Sequence, residues 1–471
     1  MQAHPDRSLI LAAVVLTCCA SLAAAGAGGL LSGGMRVIIF LFVNLILVFD
    51  VIDLIVRLWL RKVHGAMPNG PSVALGLPEI SNAERALDLG PYAIVASVHD
   101  AADDIDRFTA VLEPFKDVVW LIDDASTDGT LLRLRREGWN CVAGGVNRKK
   151  PAALRHLLRT LPTEIQTVVI MDPDVRWVVP RGLERPTLER VISDLQRSGA
   201  AACTPRVQAR RGGWLEECQA FEYELACGMG RKSLGDLCCN SGVSVYRRAA
   251  LEAALNRHSL SVYAEDFENS LLLLEAGERI YYDDRLIIET RAKGHWKGLF
   301  SQRVGWAFGG VRVVVERLPQ IIGIARRSPL GAYQYLFYLV INGIVLLPLK
   351  LLSTGILAMS LLKAFDDLLL TRWLPARAWN EPLLFCLWYG KSTVILFLAC
   401  LSALPRGERR RHLATLPFYC FYGLLQYIPT TIGYLNLLAL RIHGRRLYAD
   451  HYDDEAGCSA TRAVVPIGGP P

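Results

Sequence analysis

The sequence predicts an α/β domain inserted between N- and C-terminal sets of transmembrane helices. Three observations carry this: apolar stretches of membrane-spanning length at both ends, alternating strand-like and helix-like runs between them, and carboxylates closing the apolar strands. The chain has 471 residues, enough for two or three domains with a sizeable core. Hydrophobic residues make up 52%, and the mean hydropathy of +0.27 is high for a chain with 21% charged residues. The excess is local. Residues 9–31 and 35–60 come first, and 332–362, 383–404 and 413–440 come last. Each reaches the roughly 20 apolar residues that span a bilayer core.

In chain order, residues 9–60 read as two transmembrane helices joined at Ser32-Gly33-Gly34. The first stretch, preceded by Arg7, also has the make-up of a signal peptide, but a second span follows at once and favours two helices. Asp50 and Asp53 lie at helical spacing from Arg57 and Arg61, which predicts pairing on the helix surface near the interface. Residues 61–89, with Pro68, Pro71 and Pro78, read as a linker. Residues 90–298 read as a water-soluble domain. Its strands are expected at 92–98, 118–122, 140–143 and 167–171, and its helices at 104–113, 129–137 and 151–161. Such alternation predicts a parallel sheet covered by helices. Ligands of open α/β sheets sit beyond the carboxyl ends of the strands, where Asp123, Asp124, Asp172 and Asp174 fall. Residues 299–325 mix aromatic, basic and aliphatic residues, as an amphipathic helix at a membrane surface does. Residues 331–441 are expected to form C-terminal transmembrane or re-entrant helices, and 442–471 a tail.

Basic residues gather at the apolar ends: Arg57, Arg61 and Lys62; Arg326 and Arg327; Arg406 and Arg409 to Arg411; Arg441, Arg445 and Arg446. This follows the positive-inside rule and predicts a multi-pass protein of the plasma (inner) membrane with a cytoplasmic active site. Three simple spans after the soluble domain would place Arg441 to Arg446 outside, against that rule. Pro417, Pro429 and Gly433 permit a broken or re-entrant segment that restores it. The net charge of +7 does not point to nucleic acid, because the soluble part has no basic stripe interleaved with aromatics. The 12 cysteines include no Cys-x-x-Cys pair and read as small hydrophobes in a reducing compartment.

Four landmarks carry the chemistry. Asp123-Asp124, in LIDDASTDGT, can accept hydrogen bonds from a ribose or a base; the plain alternative is a turn with Asp128-Gly129 capping the next helix. Asp172 and Asp174, in MDPDV, stand one residue apart at a strand end, where both can reach Mg²⁺ or Mn²⁺. Glu265-Asp266, in AEDFENS, opens an apolar helix; Asp266 is a candidate general base, although acidic residues also favour helix N-termini. Trp306 can stack on a sugar, with Gln302 and Arg303 near phosphate, or can anchor at the interface. Lys149 and Lys150 precede a helix and offer cations to phosphate; Arg206, Arg247 and Arg248 are further candidates.

Taken in order, the landmarks resemble family 2 glycosyltransferases, especially the membrane-embedded processive synthases of cellulose, chitin, hyaluronan and poly-N-acetylglucosamine. The resemblance runs over residues 92–318. LIDDASTDGT resembles the family's nucleotide-binding strand end, MDPDV its metal-binding D-x-D, and AEDFENS its catalytic T-E-D. KGLFSQRVGWAFGG resembles its Q-x-x-R-W segment, and CNSGVSVYRR the segment lining its acceptor channel. The resemblance implies a nucleotide-sugar-binding domain of the GT-A type and a UDP-sugar-dependent hexosyltransferase. In that reading Asp266 is the base, with Glu265 beside it. Asp172 and Asp174 hold Mg²⁺ or Mn²⁺. Asp123 or Asp124, with Lys149, Lys150, Asp172, Gln302 and Arg303, binds the donor; Ser241, Gly242 and Trp306 bind the acceptor. The implied product is a β-linked polysaccharide translocated through the C-terminal helices. The implied partners are a UDP-sugar, a glycan acceptor and the lipid bilayer, and a homo-oligomer or accessory export subunit is compatible.

Three positions depart from the family pattern. Gly305 stands where the family has arginine, leaving Arg303 or Arg312 to supply a cation near the diphosphate. Ala264 replaces threonine, and the N-x-G-K segment appears as Asn147-Arg148-Lys149-Lys150. Two further readings stay open: a non-processive transferase acting on a lipid acceptor, and a catalytically silent scaffold or subunit, which Gly305 alone supports.

Overall fold

The computed structural model describes residues 51–64, 89–347 except Arg181, and 406–448, with isolated positions beside these. The expected span over 9–31, most of that over 35–60, the linker from 65, most of the stretch 348–405 and the tail beyond 448 lie outside the described residues. Among the described residues, no helix is long and apolar enough to cross a membrane.

The expected α/β domain is built on an eight-stranded mixed sheet. Strands β1 (Tyr92–Val98), β2 (Val119–Asp123), β3 (Cys141–Ala143) and β4 (Thr167–Ile170) form its parallel half in the order β3-β2-β1-β4. Helices α2 (Ile105–Leu112), α3 (Thr130–Arg136) and α4 (Lys150–Leu158) make the crossovers, close to their expected places. Strand β1 is apolar and buried on both faces, as a central parallel strand must be. Its side chains alternate between two cores: Ala93 and Val95 pack with Leu154 and Leu157 of α4, while Ile94 and Ala96 pack with Phe108, Leu112 and Phe115. The chain leaves β1 toward β2 on one side and crosses from β3 to β4 on the other, so a crevice opens beyond the carboxyl ends of β1 and β4.

The other half holds β5 (Val175–Trp177), β6 (Ala202–Ala209), β7 (Ser244–Arg247) and β8 (Ile280–Thr290), in the order β4-β7-β6-β8-β5. Strand β7 runs antiparallel to both β4 and β6, which brings the loop before it to the mouth of β4. Helices α5 (Glu184–Ser198), α6 (Trp214–Leu225), α7 (Arg248–Arg257) and α8 (Glu265–Glu275) cover this half.

The remaining helices wrap the domain. Helix α1 (residues 51–64) runs four residues into the expected linker, and Arg57 pairs with Asp53 at 2.9 Å as its spacing predicts. Arg57 also donates to Gln334 at 3.1 Å and lies 4.3 Å from the Tyr338 ring, tying α1 to the wide-turned π-helix Ala332–Val345. Helix α9 (Trp296–Glu316) is followed by α10 (Leu318–Arg327). The last described elements are α11 (Arg406–Leu413), α12 (Leu416–Leu425) and α13 (Tyr427–His443). Helix α13 lies along α9, and Gly433 makes the close approach: a Cβ there would stand 2.7 Å from the Phe308 nitrogen and 2.8 Å from the Val304 oxygen.

Candidate active site

The carboxylates predicted to act together meet at the crevice. Lys150 opens α4 directly beneath it and donates from Nζ to Glu265 Oε1 at 2.6 Å, with Asp172 Oδ1 also 2.6 Å away. One cation thus joins the strand-end carboxylate of β4 to the first residue of α8. Lys150, Ser241, Gly242, Glu265, Asp266 and Asn269 line a narrow cavity of about 10 Å³, the room of about one water molecule.

The environment moves these groups away from their solution behaviour. Burial pushes the Asp266 carboxyl up to about 7; the neighbouring charge of Glu265 adds to this, and Lys150 opposes it. Burial likewise raises Asp172 to about 6, with Lys150 opposing and Asp174 and Glu265 contributing repulsion. Burial works against the Lys150 ammonium, but Asp172 and Glu265 outweigh it and hold it charged well above the usual lysine range. Asp266 Oδ1 accepts from the Phe267 N–H at 2.8 Å, which fixes its orientation at the start of α8.

Asp123 and Asp124 are both buried at the end of β2 and have different roles. Asp124 spends its oxygens on the basic loop: Oδ1 accepts from the Arg148 N–H at 2.8 Å and Oδ2 from the Lys149 N–H at 2.7 Å. It thereby sets the turn that launches Lys150, and Lys149 adopts φ +65° there. Asp123 accepts from the Ser126 N–H at 3.2 Å through Oδ2, while its buried Oδ1 has no hydrogen-bond partner among the described residues. A buried carboxylate oxygen without a donor is costly, and a ligand N–H or hydroxyl relieves that cost. The expected turn is also present, with Asp128 Oδ1 accepting from the Thr130 N–H at 3.0 Å.

Asp174 stands beside Asp172 at the mouth and accepts from the Thr290 hydroxyl at 3.2 Å. Among the described residues, no group of three or more His, Cys, Asp or Glu side chains could hold a metal ion. Two carboxylates one residue apart nevertheless fit Mg²⁺ or Mn²⁺, since such ions keep several waters and take phosphate oxygens from the substrate. Gly242 lies against this pair: a Cβ there would fall 1.8 Å from Asp172 Oδ2, so only glycine leaves the carboxylate its place. Ser241 donates to the Val243 carbonyl at 2.9 Å and faces the cavity.

Helix α9 carries Gln302, Arg303 and Trp306. Trp306 is 44% exposed, and the Arg303 guanidinium lies 4.3 Å from its ring centre. Arg303 also donates to Glu222 at 2.7 Å and to the Tyr422 hydroxyl at 3.3 Å. Arg312 donates to the Ser259 hydroxyl at 2.9 Å and to Glu316 at 3.0 Å. In this structure both arginines are paired within the protein. Arg206, Arg247 and Arg248 pair with Glu224, Glu278 and Glu252 and serve the fold.

Sequence reasoning missed the residues that steady α8. Glu268 is fully buried, accepting from Arg317 at 2.6 Å and from the Ser259 hydroxyl at 2.6 Å. His258 Nδ1 accepts from the Leu260 N–H at 2.7 Å, so its Nε2, 3.1 Å from the Glu265 carbonyl, is the donor. Burial lowers the His258 pKa and keeps the ring neutral in that role. Glu268 sits at the fourth residue of α8 without capping it, so no local capping pattern marked it.

No protein-family model matches the chain. It is similar to an N-acetylglucosaminyltransferase of Rhizobium leguminosarum bv. viciae, 24% identical over 196 residues, which are 39% of this chain and 44% of the relative. Proteins of the same name from Sinorhizobium fredii (strain NBRC 101917 / NGR234) and Rhizobium meliloti (strain 1021) are 26% and 25% identical over 193 and 151 residues. Those matches cover 39% and 29% of this chain and 44% and 35% of the relatives. The chain thus spans less than half the length of these curated relatives. Among solved structures it is similar to the mannosyltransferase PcManGT from Pyrobaculum calidifontis, determined with GDP-Man and Mn²⁺. There the TM-score is 0.43 and the identity 16%, over 80% of this chain and 99% of that one. For glucosyl-3-phosphoglycerate synthase from Mycobacterium tuberculosis the TM-score is 0.34 and the identity 18%, over 48% of this chain and 79% of that one.

Proposed function

We propose that this chain is a membrane-bound, inverting glycosyltransferase that builds a β-linked glycan from a UDP-sugar and moves it across the bilayer. The observation that carries the reading is the bridge from Lys150 to both Asp172 and Glu265, beside a cavity that Lys150, Glu265 and Asp266 line at the end of β4. Similarity to proteins named N-acetylglucosaminyltransferase supports sugar transfer and makes UDP-N-acetylglucosamine the first donor to try.

In this reading Asp123 receives the nucleoside through its spare Oδ1, and the loop held by Asp124 carries Lys150 toward the donor. Asp172 and Asp174 would hold Mg²⁺ or Mn²⁺, which when bound neutralises charge on the diphosphate leaving group. Asp266 takes the proton from an acceptor hydroxyl. That oxygen forms a bond to the anomeric carbon as the bond from carbon to diphosphate breaks, and UDP departs. A carboxyl raised to about 7 suits a base working near neutral pH. Trp306 offers a face for the acceptor sugar, and its exposure leaves that face open.

The test incubates the purified protein with labelled UDP-N-acetylglucosamine and Mn²⁺ and measures product length. A polymer is expected, and Asp266→Asn abolishes it. One or two sugars on a lipid would instead select the non-processive reading. Failure of the wild type to transfer from any UDP-sugar would select the scaffold.

A further inference from the structure

Gly305 lies one helical turn before Gly309, so both face the same side of α9. That side faces Tyr263, three residues ahead of Asp266. A Cβ at 305 would stand 2.5 Å from Tyr263 Cε1 and 3.0 Å from Cδ1, and its three nearest atoms all belong to the ring. A Cβ at 309 would stand 2.5 Å from Tyr263 Cβ, 2.7 Å from its carbonyl carbon and 2.8 Å from its oxygen. Two glycines thus form a slot, one receiving the ring and the other the main chain.

The rest of the contacts close the slot. Phe308 meets the Tyr263 ring edge to face at 6.1 Å and 89°. The Arg446 guanidinium lies 5.5 Å from the Tyr263 ring centre and 4.0 Å from that of Phe308. Arg312 donates to the Tyr263 carbonyl at 3.3 Å. The next residue, Ala264, takes φ +60° and turns the chain into α8; Leu260 on the other side takes φ +61°. Residues with a Cβ keep that conformation only where the surroundings hold them.

We infer that Gly305 and Gly309 form a seat for Tyr263, and that Tyr263 is a positioning residue that holds Asp266 at the cavity. The glycine at 305 is then not a lost arginine but half of a device that sets the start of the catalytic helix. The inference rests on the proposed role of Asp266 as base.

The test uses the full chain with Gly305→Ala, Gly309→Ala, Tyr263→Ala, Tyr263→Phe and the two alanine doubles. It reads kcat, donor KM and the thermal unfolding midpoint. Tyr263→Ala and Gly305→Ala should each lower kcat at least about tenfold with donor KM little changed, since small displacements of a reacting group are costly. Tyr263→Phe should restore kcat relative to Tyr263→Ala, because the ring fills the slot. Gly305→Ala should add little to Tyr263→Ala, as the atoms nearest its Cβ are all ring atoms. Gly309→Ala should add to Tyr263→Ala, because its Cβ meets main chain. Additive losses at 305 and 263, an unchanged Gly305→Ala, or a rate gain in Gly305→Arg would overturn the inference. Should the wild type transfer no sugar, the proposed reaction fails. The same pattern in unfolding midpoints still decides whether the seat exists.

Discussion

Asp266 is the residue whose environment makes the sharpest demand. Its carboxyl, raised to about 7 mainly by burial and then by Glu265, is held protonated more tightly in the folded chain than in the unfolded one. Its contribution to stability is therefore complete below the unfolded value near 4 and is lost as pH rises through about 7. Asp266→Asn removes that penalty. In metal-free protein its unfolding midpoint should exceed the wild type's above pH 7, and the gap should narrow as the pH falls and close only toward pH 4. Its transfer rate should drop by about 10² to 10⁴. The wild-type kcat/KM should lose activity on the acid side with a midpoint near 7. A midpoint gap that ignores pH would show that burial of the charge is not what shapes this site. The neighbouring pair Asp123-Asp124 shows where sequence stops. Both stand at one strand end, and only the fold assigns Asp124 to the Arg148 and Lys149 amides and leaves Asp123 Oδ1 unspent.

Helix α9 is the element on which the site depends. One side receives Tyr263 between Gly305 and Gly309, and another meets α13 at Gly433, where a Cβ would also stand 2.7 Å from Ala307 Cβ. Gly433→Leu cannot be absorbed by a side-chain shift, because two of its obstacles are main-chain atoms. It should destabilise the protein by about 1 to 3 kcal/mol, measured by thermal or denaturant unfolding, and an unchanged midpoint would refute the close crossing. The parallel half of the sheet was legible because β1, β2 and β4 are short buried apolar runs ended by polar turns. Strands β6 and β8 were not assigned, and the reason is physical. Strand β8 carries Asp283-Asp284-Arg285 at its centre, where Arg285 pairs with the buried Asp194 at 2.8 Å, so its apolar alternation breaks. Strand β6 contains Pro205 beside a register shift. The landmarks of the site were legible because chemistry fixes their residue types. The bridge from Lys150 to Glu265 joins residues 115 positions apart, and no local pattern encodes it. Gly305 was read from the sequence only as a missing arginine, because the residue its spacing with Gly309 packs against lies 42 positions away.

At the scale of the molecule, the two ends of the C-terminal helices settle how they sit on the α/β domain. His412 Nε2, at the end of α11, lies 2.9 Å from Arg211 Nη2 on the segment leading into α6. Arg446, beyond α13, stacks against Phe308 and against Tyr263 in the loop before α8. Helices α12 and α13 are linked by two hydrogen bonds, the Gln426 N–H donating to the Tyr422 carbonyl and the Thr430 N–H to the Gln426 carbonyl. Their outer surface keeps Phe418, Phe421, Leu425, Ile428, Leu435 and Leu438 exposed at helical spacing, the apolar face that the proposed membrane attachment requires. If the proposed membrane attachment holds, contact of both ends with the same domain would put residues 412 and 446 on the same side of the bilayer as the proposed active site. The segment between them would then make an even number of crossings or none, as the charge rule asks. Arg410→Cys and Arg445→Cys, labelled with an impermeant maleimide and counted above the wild-type background, decide this. With the active site cytoplasmic, both should label in inverted membrane vesicles and neither in intact cells. Labelling of one from each face would mean that α12 and α13 cross once, and that the contacts holding Arg446 over the loop before α8 do not exist in the membrane.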